Sequence, residues 1–386
     1  MPVRSGRDAQ RKVSARQVRP ERTEVTRAAR ETADGQWLVR GKDGRLAAYA
    51  LGDGELLRWT ETRPAGPDWT GPEVFPATGL TDLTVHQGRD GFVRFVARRT
   101  TRRAEGDTVD LVHATQFQSG RPVTAWHSLG NPHRDREQGV RVGVPTVGTG
   151  ADGLLHVLVR DADGRLLLRR EQDGGKWTGW TALGKGLGDG AVLATTEAGR
   201  IEILAPLVPG TAGAPAGGCP AKRWSQKQPG GELTEDHEIP FGHVPGTAVA
   251  LETTPDVLTY YWADVGTGGI FAHRPGSWVI PLDSSPVTGR PAVLRAPLDG
   301  YDCTVLAHRG ADGGIMLTAC GTENEGAGVW WSPTGEHSAG APALAHDADG
   351  RVVLALIDRD GALRIARQRP EPGLAMEPAT PVRHTG

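Results

Sequence analysis

The sequence predicts an all-β chain, a seven-bladed β-propeller built from four-stranded antiparallel blades. Two observations carry this expectation. The first is a repeat of about fifty residues in which Asp-Gly or a close variant precedes a short apolar run: Asp43-Gly44, Asp90-Gly91, Asp152-Gly153, Ala198-Gly199, Pro255-Asp256, Asp299-Gly300 and Asp349-Gly350. Most are followed by a second turn, at Asp53-Gly54, Asp163-Gly164, Gly268-Gly269, Asp312-Gly313 and Asp360-Gly361, so each repeat holds consecutive hairpins. The second is that middle runs such as Leu154 to Val159 and Val352 to Ile357 are almost continuously apolar, the mark of strands covered on both faces. One such meander cannot bury both faces by itself. Seven arranged radially cover one another.

The elements follow in chain order. Residues 1–35 carry nine basic side chains against five acidic ones and a proline at position 20, and their apolar residues are too scattered to bury a face. A basic flexible tail is expected there, with a single propeller domain over 36–386. Blades are expected to begin near residues 36, 82, 142, 190, 246, 290 and 341. The third repeat shows the plan: an inner strand over 142–147, a second over 154–160, a third over 165–170 and an outer strand over 177–183. The second and fourth repeats lack the second turn because loops are inserted at 101–107 and 210–221. In the sixth, Cys303 and Cys320 are symmetric about Ala311-Asp312, so a two-residue turn would set them opposite each other as two buried thiols. Cys219, on the glycine-rich insertion, is the thiol expected to be exposed and most reactive.

Composition excludes several classes. A hydrophobic fraction of 38% with a net charge of −2 is too apolar and too balanced for wholesale disorder, while 54 glycines and 28 prolines favour turns. No apolar run reaches the ~18 residues of a membrane span, and the Arg-rich start has no apolar signal core, so no membrane and a cytoplasmic location are expected. Three cysteines without a Cys-x-x-Cys or paired-His spacing suggest no metal and no cofactor. A balanced charge gives no footprint for nucleic acid. Gly-x-Ser-x-Gly, His-Glu-x-x-His and P-loop patterns are absent. His86, His156, His273, His308 and His346 fall on inner or middle strands and read as hydrogen-bonded structural residues. His346-Asp347-Ala348-Asp349 reads as a turn in which Asp bonds to its own backbone.

The segment from Asp161-Ala162-Asp163-Gly164-Arg165-Leu166 to Trp177-Thr178-Gly179-Trp180-Thr181-Ala182-Leu183-Gly184 resembles the blade pattern of the PLL-like and tachylectin-like seven-bladed propeller lectins. In that pattern an Asp-Gly-Arg-Leu hairpin leads into an outer strand of the form Trp-x-x-Trp-x-x-Leu-Gly. Ala125-Trp126-His127-Ser128-Leu129-Gly130 keeps part of it, Asp68-Trp69-Thr70-Gly71 less, and Ser277-Trp278 and Trp330-Trp331 only the tryptophans. The resemblance implies seven blades and, more weakly, non-catalytic binding of a glycan or another small polar ligand in clefts between blades. Tryptophan stacks on the apolar face of a sugar ring, which makes Trp126, Trp177, Trp180, Trp330 and Trp331 the candidate platforms and Arg165 and Arg169 the candidate hydroxyl-binding donors. Trp177 and Trp180 are three apart, so a regular strand would turn them to opposite faces, one a wedge and one a platform. Two other readings stay open. An enzyme would place its site at the mouth of the channel, with Arg40, His86 and Arg295 as its polar residues. A protein-interaction platform would use loops 101–108 and 209–222 with the basic tail.

Overall fold

The computed structural model describes residues 27–208, 220–236 and 242–382. Seven antiparallel sheets follow one another along the chain, each running from an inner to an outer strand. We number the blades I to VII. Their inner strands are Leu38–Arg40, Leu80–Gln87, Thr146–Thr149, Val192–Thr195, Val249–Thr254, Ala292–Leu298 and Ala343–His346. Apolar second strands such as Ile201–Pro206 and Val352–Ile357 are buried along their length. Every core cluster lies between neighbouring blades, from the one joining blades VII, I and II round to the one joining VI and VII. That is the physical reason for a closed ring: each sheet has apolar residues on both faces and needs a neighbour on each. Among the described residues the only α-helix is Arg136–Gly139, capped by the Asp135 side chain accepting from Gln138 N.

Most Asp-Gly turns differ from the expected two-residue form. Gly41 N donates to Arg45 O at 2.8 Å and Gly44 N to Gly41 O at 2.9 Å, while the Asp43 carboxylate accepts from Arg45 N. Only the glycine is left-handed, with φ of 81° at Gly44. This is a type I turn closed by a left-handed glycine, a three-residue loop. The same backbone bonds recur at Gly88 to Phe92, Gly150 to Leu154, Asp161 to Arg165 and Asp347 to Arg351; the amide after the glycine donates to Asp90 and Asp152 in the first two and to Asp161 and Asp347, the first residue of the turn, in the others. Asp299-Gly300 has positive φ at both residues, 52° and 82°, and joins Leu298 directly to Tyr301, the two-residue form.

One residue of loop length corrects the cysteine expectation. Gly310 N donates to Gly314 O, so Thr304, not Cys303, pairs with Cys320, and Cys303 pairs with Gly321. Adjacent strand residues face opposite ways. Cys320 is buried against blade V, whereas Cys303 is half-buried on the face toward blade VII. Cys219 lies outside the described residues.

The start of the propeller is also earlier than residue 36. Glu31–Thr32 pairs with Leu51 and Ala50 in blade I, and Asp34–Gly35 runs parallel to Thr84 and Val85 in blade II. Ala29 N donates to Gly361 O of blade VII at 2.9 Å and Arg30 N to Leu51 O at 2.7 Å. The segment thus ties three blades together, and Ala33 is buried in their shared core. A buried charge network completes the closure. Arg367 of blade VII contacts Glu61 of blade I, donates to Asp347 Oδ2 at 2.9 Å and to Gly66 O at 2.7 Å, while Leu46 N donates to the other Glu61 oxygen. The outer strand of blade VII is Thr380–Pro381, so the chain's own C-terminal end supplies it. The tail over 1–26 lies outside the described residues.

Candidate functional site

The junction of blades II and III gathers the best-matching blade residues. Trp177 ends a short outer strand, Lys176–Trp177, and a second piece resumes at Thr181–Gly184. Between them the Thr178 hydroxyl accepts Arg170 N at 3.0 Å, so a side chain replaces part of the ladder and residues 178–180 leave the sheet. This break corrects the opposite-faces expectation: both Trp177 and Trp180 are half-buried against one core cluster. Arg169 lies beside both, its guanidinium carbon 6.0 Å from one ring centroid and 5.7 Å from the other. Its Nε donates to Thr178 O at 2.9 Å, and its two amino groups have no hydrogen-bond acceptor among the described residues. Arg169 reaches across the junction, since a β-carbon at Gly130 of blade II would stand 3.4 Å from its Nη1. Burial lowers the Arg169 pKa from its usual value, and the nearby Asp110 carboxylate opposes this. Opposite, the His113 ring packs edge-on against Trp177 at 5.2 Å and lies 5.8 Å from its cross-strand partner His127. Burial, and then His127, push the His113 pKa down to about 4, so at neutral pH one ring nitrogen donates and the other accepts. Two aromatic rings, a guanidinium and an imidazole are thus gathered at this junction.

The other candidates part company. Arg165 is held in the hairpin turn, Nε donating to Asp161 Oδ2 at 2.8 Å and Nη2 to Asp163 at 3.2 Å. Trp126 donates to Pro76 O at 3.0 Å and Trp331 to Leu282 O at 2.7 Å, so each is a wedge bonded to the preceding blade. Trp330 is 89% exposed, as is Trp278. Loop 102–107 is largely exposed, and 209–219 falls outside the described residues.

Arg40, His86 and Arg295, far apart in sequence, all line the central channel, whose cavity measures about 700 Å³. His86 Nε2 lies 3.1 Å from Thr149 Oγ1 of blade III, and burial pushes its pKa down to about 4. Arg295 is chelated by Asp302 at 2.8 and 2.9 Å, and its backbone oxygen lies 2.8 Å from His346 Nε2. The sequence reading missed Glu197 and Glu252, which share this wall, and Lys42 and Arg89 at the rim opposite. Their common position on hairpin turns or inner strands was the available signal. No group of three or more His, Cys, Asp or Glu suited to a metal ion occurs among the described residues. No helix among them is long and apolar enough to cross a membrane.

Fold and sites together define a seven-bladed propeller with polar sites at a blade junction and at its channel mouth. No family model and no curated protein matches the chain. Solved structures do. The α-L-arabinanase of Penicillium chrysogenum complexed with arabinobiose superposes with a TM-score of 0.52 at 10% identity, covering 78% of this chain and 94% of that one. The NanB sialidase from Streptococcus pneumoniae gives 0.50 at 10% identity, over 77% of this chain and 67% of that one. A lectin of Aleuria aurantia in complex with Fucα1-6GlcNAc gives 0.45 at 12%, over 79% and 96%. At such identities the likeness is one of fold. The two superpositions at 0.50 or above agree with a propeller architecture.

Proposed function

We propose that this protein is a non-catalytic glycan-binding propeller that holds a sugar at the junction of blades II and III. The observation that carries the reading is Arg169 beside two tryptophan rings with neither amino group hydrogen-bonded among the described residues. An apolar sugar face stacks on an indole, while ring hydroxyls accept from a guanidinium and exchange hydrogen bonds with a neutral imidazole. Trp177, Trp180, Arg169 and His113 supply those groups within one junction, and Asp110 adds an acceptor for hydroxyl donors.

The test is a glycan array followed by calorimetry on single substitutions. Arg169→Ala is expected to weaken binding at least tenfold with little change in melting temperature, because it loses one Nε bond and no ion pair. Trp177→Ala is expected to abolish binding and also to lower stability, since the ring packs against the core. Binding that survives both substitutions would overturn the assignment.

A further inference from the structure

A second polar feature has no role in that reading. Between blades I and II, a cavity of about 490 Å³ opens beside the channel, lined by Arg40, Lys42, Gln87 and Arg89 with the glycines of two hairpin turns. Arg40, Gln87 and Arg89 also line the central cavity, so the two spaces meet. Arg40, Lys42 and Arg89 are exposed, and none forms an ion pair among the described residues. The carboxylates nearest to them are already engaged. Asp90 is gripped by Arg94 at 3.0 and 2.6 Å, Asp43 by Arg45 at 2.8 Å, and Asp347 by Arg351 and Arg367 at 3.0 and 2.9 Å. The rim therefore carries three cations that form no ion pair among the described residues, with the Lys42 ammonium still within Coulombic reach of Asp90.

Two of the three are also held in place. Arg40 Nη1 donates to Asp347 O at 2.9 Å, and Gln87 Nε2 donates to Arg40 O at 2.8 Å. The Lys42 stem crosses Gly91, where a β-carbon would stand 2.8 Å from Lys42 Cε, and its ammonium sits 5.7 Å from the Phe92 ring centroid. Arg89 projects from the same turn of blade II. On the opposite side of the channel, Glu197 and Glu252 place two carboxylates on the wall beside Arg295, with Glu252 accepting Asp256 N at 2.7 Å and Glu197 N at its other oxygen. Like charges gathered at a concave rim raise the local concentration of a counter-charge, and a guanidinium fork matches the planar oxygens of a carboxylate or the tetrahedral oxygens of a phosphate.

We propose that the channel mouth between blades I and II is a subsite for the oxyanion of a small ligand, held by Arg40, Lys42 and Arg89, with the ligand's hydroxyl or amino groups directed to Glu197 and Glu252. Cavities of this size take a small molecule, not a macromolecule. The subsite stands apart from the sugar reading at the blade II–III junction, and its residues are different.

The test titrates inorganic phosphate, D-glucuronate and D-glucose, separately and at constant ionic strength, against the full chain, with calorimetry and melting temperature as readouts. Phosphate or glucuronate is expected to bind saturably and glucose not to. Whichever anion binds more tightly identifies the oxyanion. Lys42→Ala and Arg89→Ala, both at exposed positions, are each expected to weaken binding about tenfold, and Arg103→Ala on the remote exposed loop to leave it unchanged. Raising the salt concentration is expected to weaken the anion further. The subsite is overturned if neither anion binds, if Lys42→Ala and Arg89→Ala leave anion binding unchanged, or if Arg103→Ala weakens binding as much as Arg89→Ala does. Failure of the Arg169 and Trp177 substitutions to affect a glycan would leave this result untouched.

Discussion

At the residue scale, one extra residue in a turn decides what each cysteine meets. Asp312-Gly313 closes a three-residue loop, because the Asp312 carboxylate accepts Gly314 N at 2.8 Å and the left-handed glycine absorbs the reversal. Cys303 and Cys320 then face different blades. Burial pushes the Cys320 thiol up to about 12 and the Cys303 thiol above its ordinary value. Since the thiolate is the reactive form, Cys320 is expected to resist a thiol reagent in the native protein at pH 8 and to react on unfolding in urea. Mild oxidation is expected to yield no peptide pair cross-linked through Cys303 and Cys320. Recovery of that pair by mass spectrometry would show that the register is wrong.

At the scale of elements, the weak place in any propeller is the join between first and last blades. Here an apolar core shared with the last blade is reinforced by charges taken out of water. Glu61 and Asp347 are fully buried and Arg367 nearly so; the Arg367 bonds to Glu61 and Gly66 cross from blade VII to blade I, while its bond to Asp347 stays within blade VII. Replacing Arg367 with Met leaves two buried carboxylates with one cation fewer. Removal of one partner from a buried pair costs about 3–5 kcal/mol. Urea unfolding is expected to show a loss of that order, and pairing the change with Glu61→Gln is expected to recover part of it. A loss within experimental error would mean that the shared apolar core and residues 29–35 hold the ring shut without the charge network. Other blade pairs use the same device: Glu202 of blade IV accepts from Tyr260 of blade V at 2.8 Å and from Arg223 at 2.9 and 3.0 Å, and Glu325 of blade VI accepts from Tyr261 and Arg274 of blade V.

For the whole molecule, the histidines set the response to acid. Burial is the leading cause that pushes His86, His113 and His243 down to about 4, and it lowers His156, His273 and His308 as well. An unfolded histidine takes up its proton near pH 6.5. Between that value and about 4 the unfolded chain binds protons that the folded chain refuses, so stability is full above about pH 6.5 and falls as pH drops toward 4. Melting temperature measured from pH 7.5 down to 4.5 is expected to decline steadily below 6.5. A flat profile would show that these rings are protonated in the fold.

What the sequence determined by itself was the count and kind of blade. Hairpins are local, and a strand's apolar pattern reports whether one face or both are covered, so seven meanders of about fifty residues could be read without contacts. The starting residues of the inner strands follow from the same signal. The tertiary structure decided everything that depends on distant chain or on a single step of register. Asp-Gly between apolar runs fits a two-residue and a three-residue loop alike, and only the pairing of Arg309 with Ile315 distinguishes them for the cysteines. Trp330 and Trp331 are neighbours in sequence, yet one is exposed and the other bonded to blade V, because packing against the next sheet chooses between them. Residues 29–35 read as tail because their apolar content is low, whereas their backbone bonds to Gly361 and Leu51 make them part of the ring. The channel mouth was the least legible of all. Arg40, Arg89, Glu197 and Arg295 are ordinary surface charges in the chain, and it is ring closure that brings them round one opening.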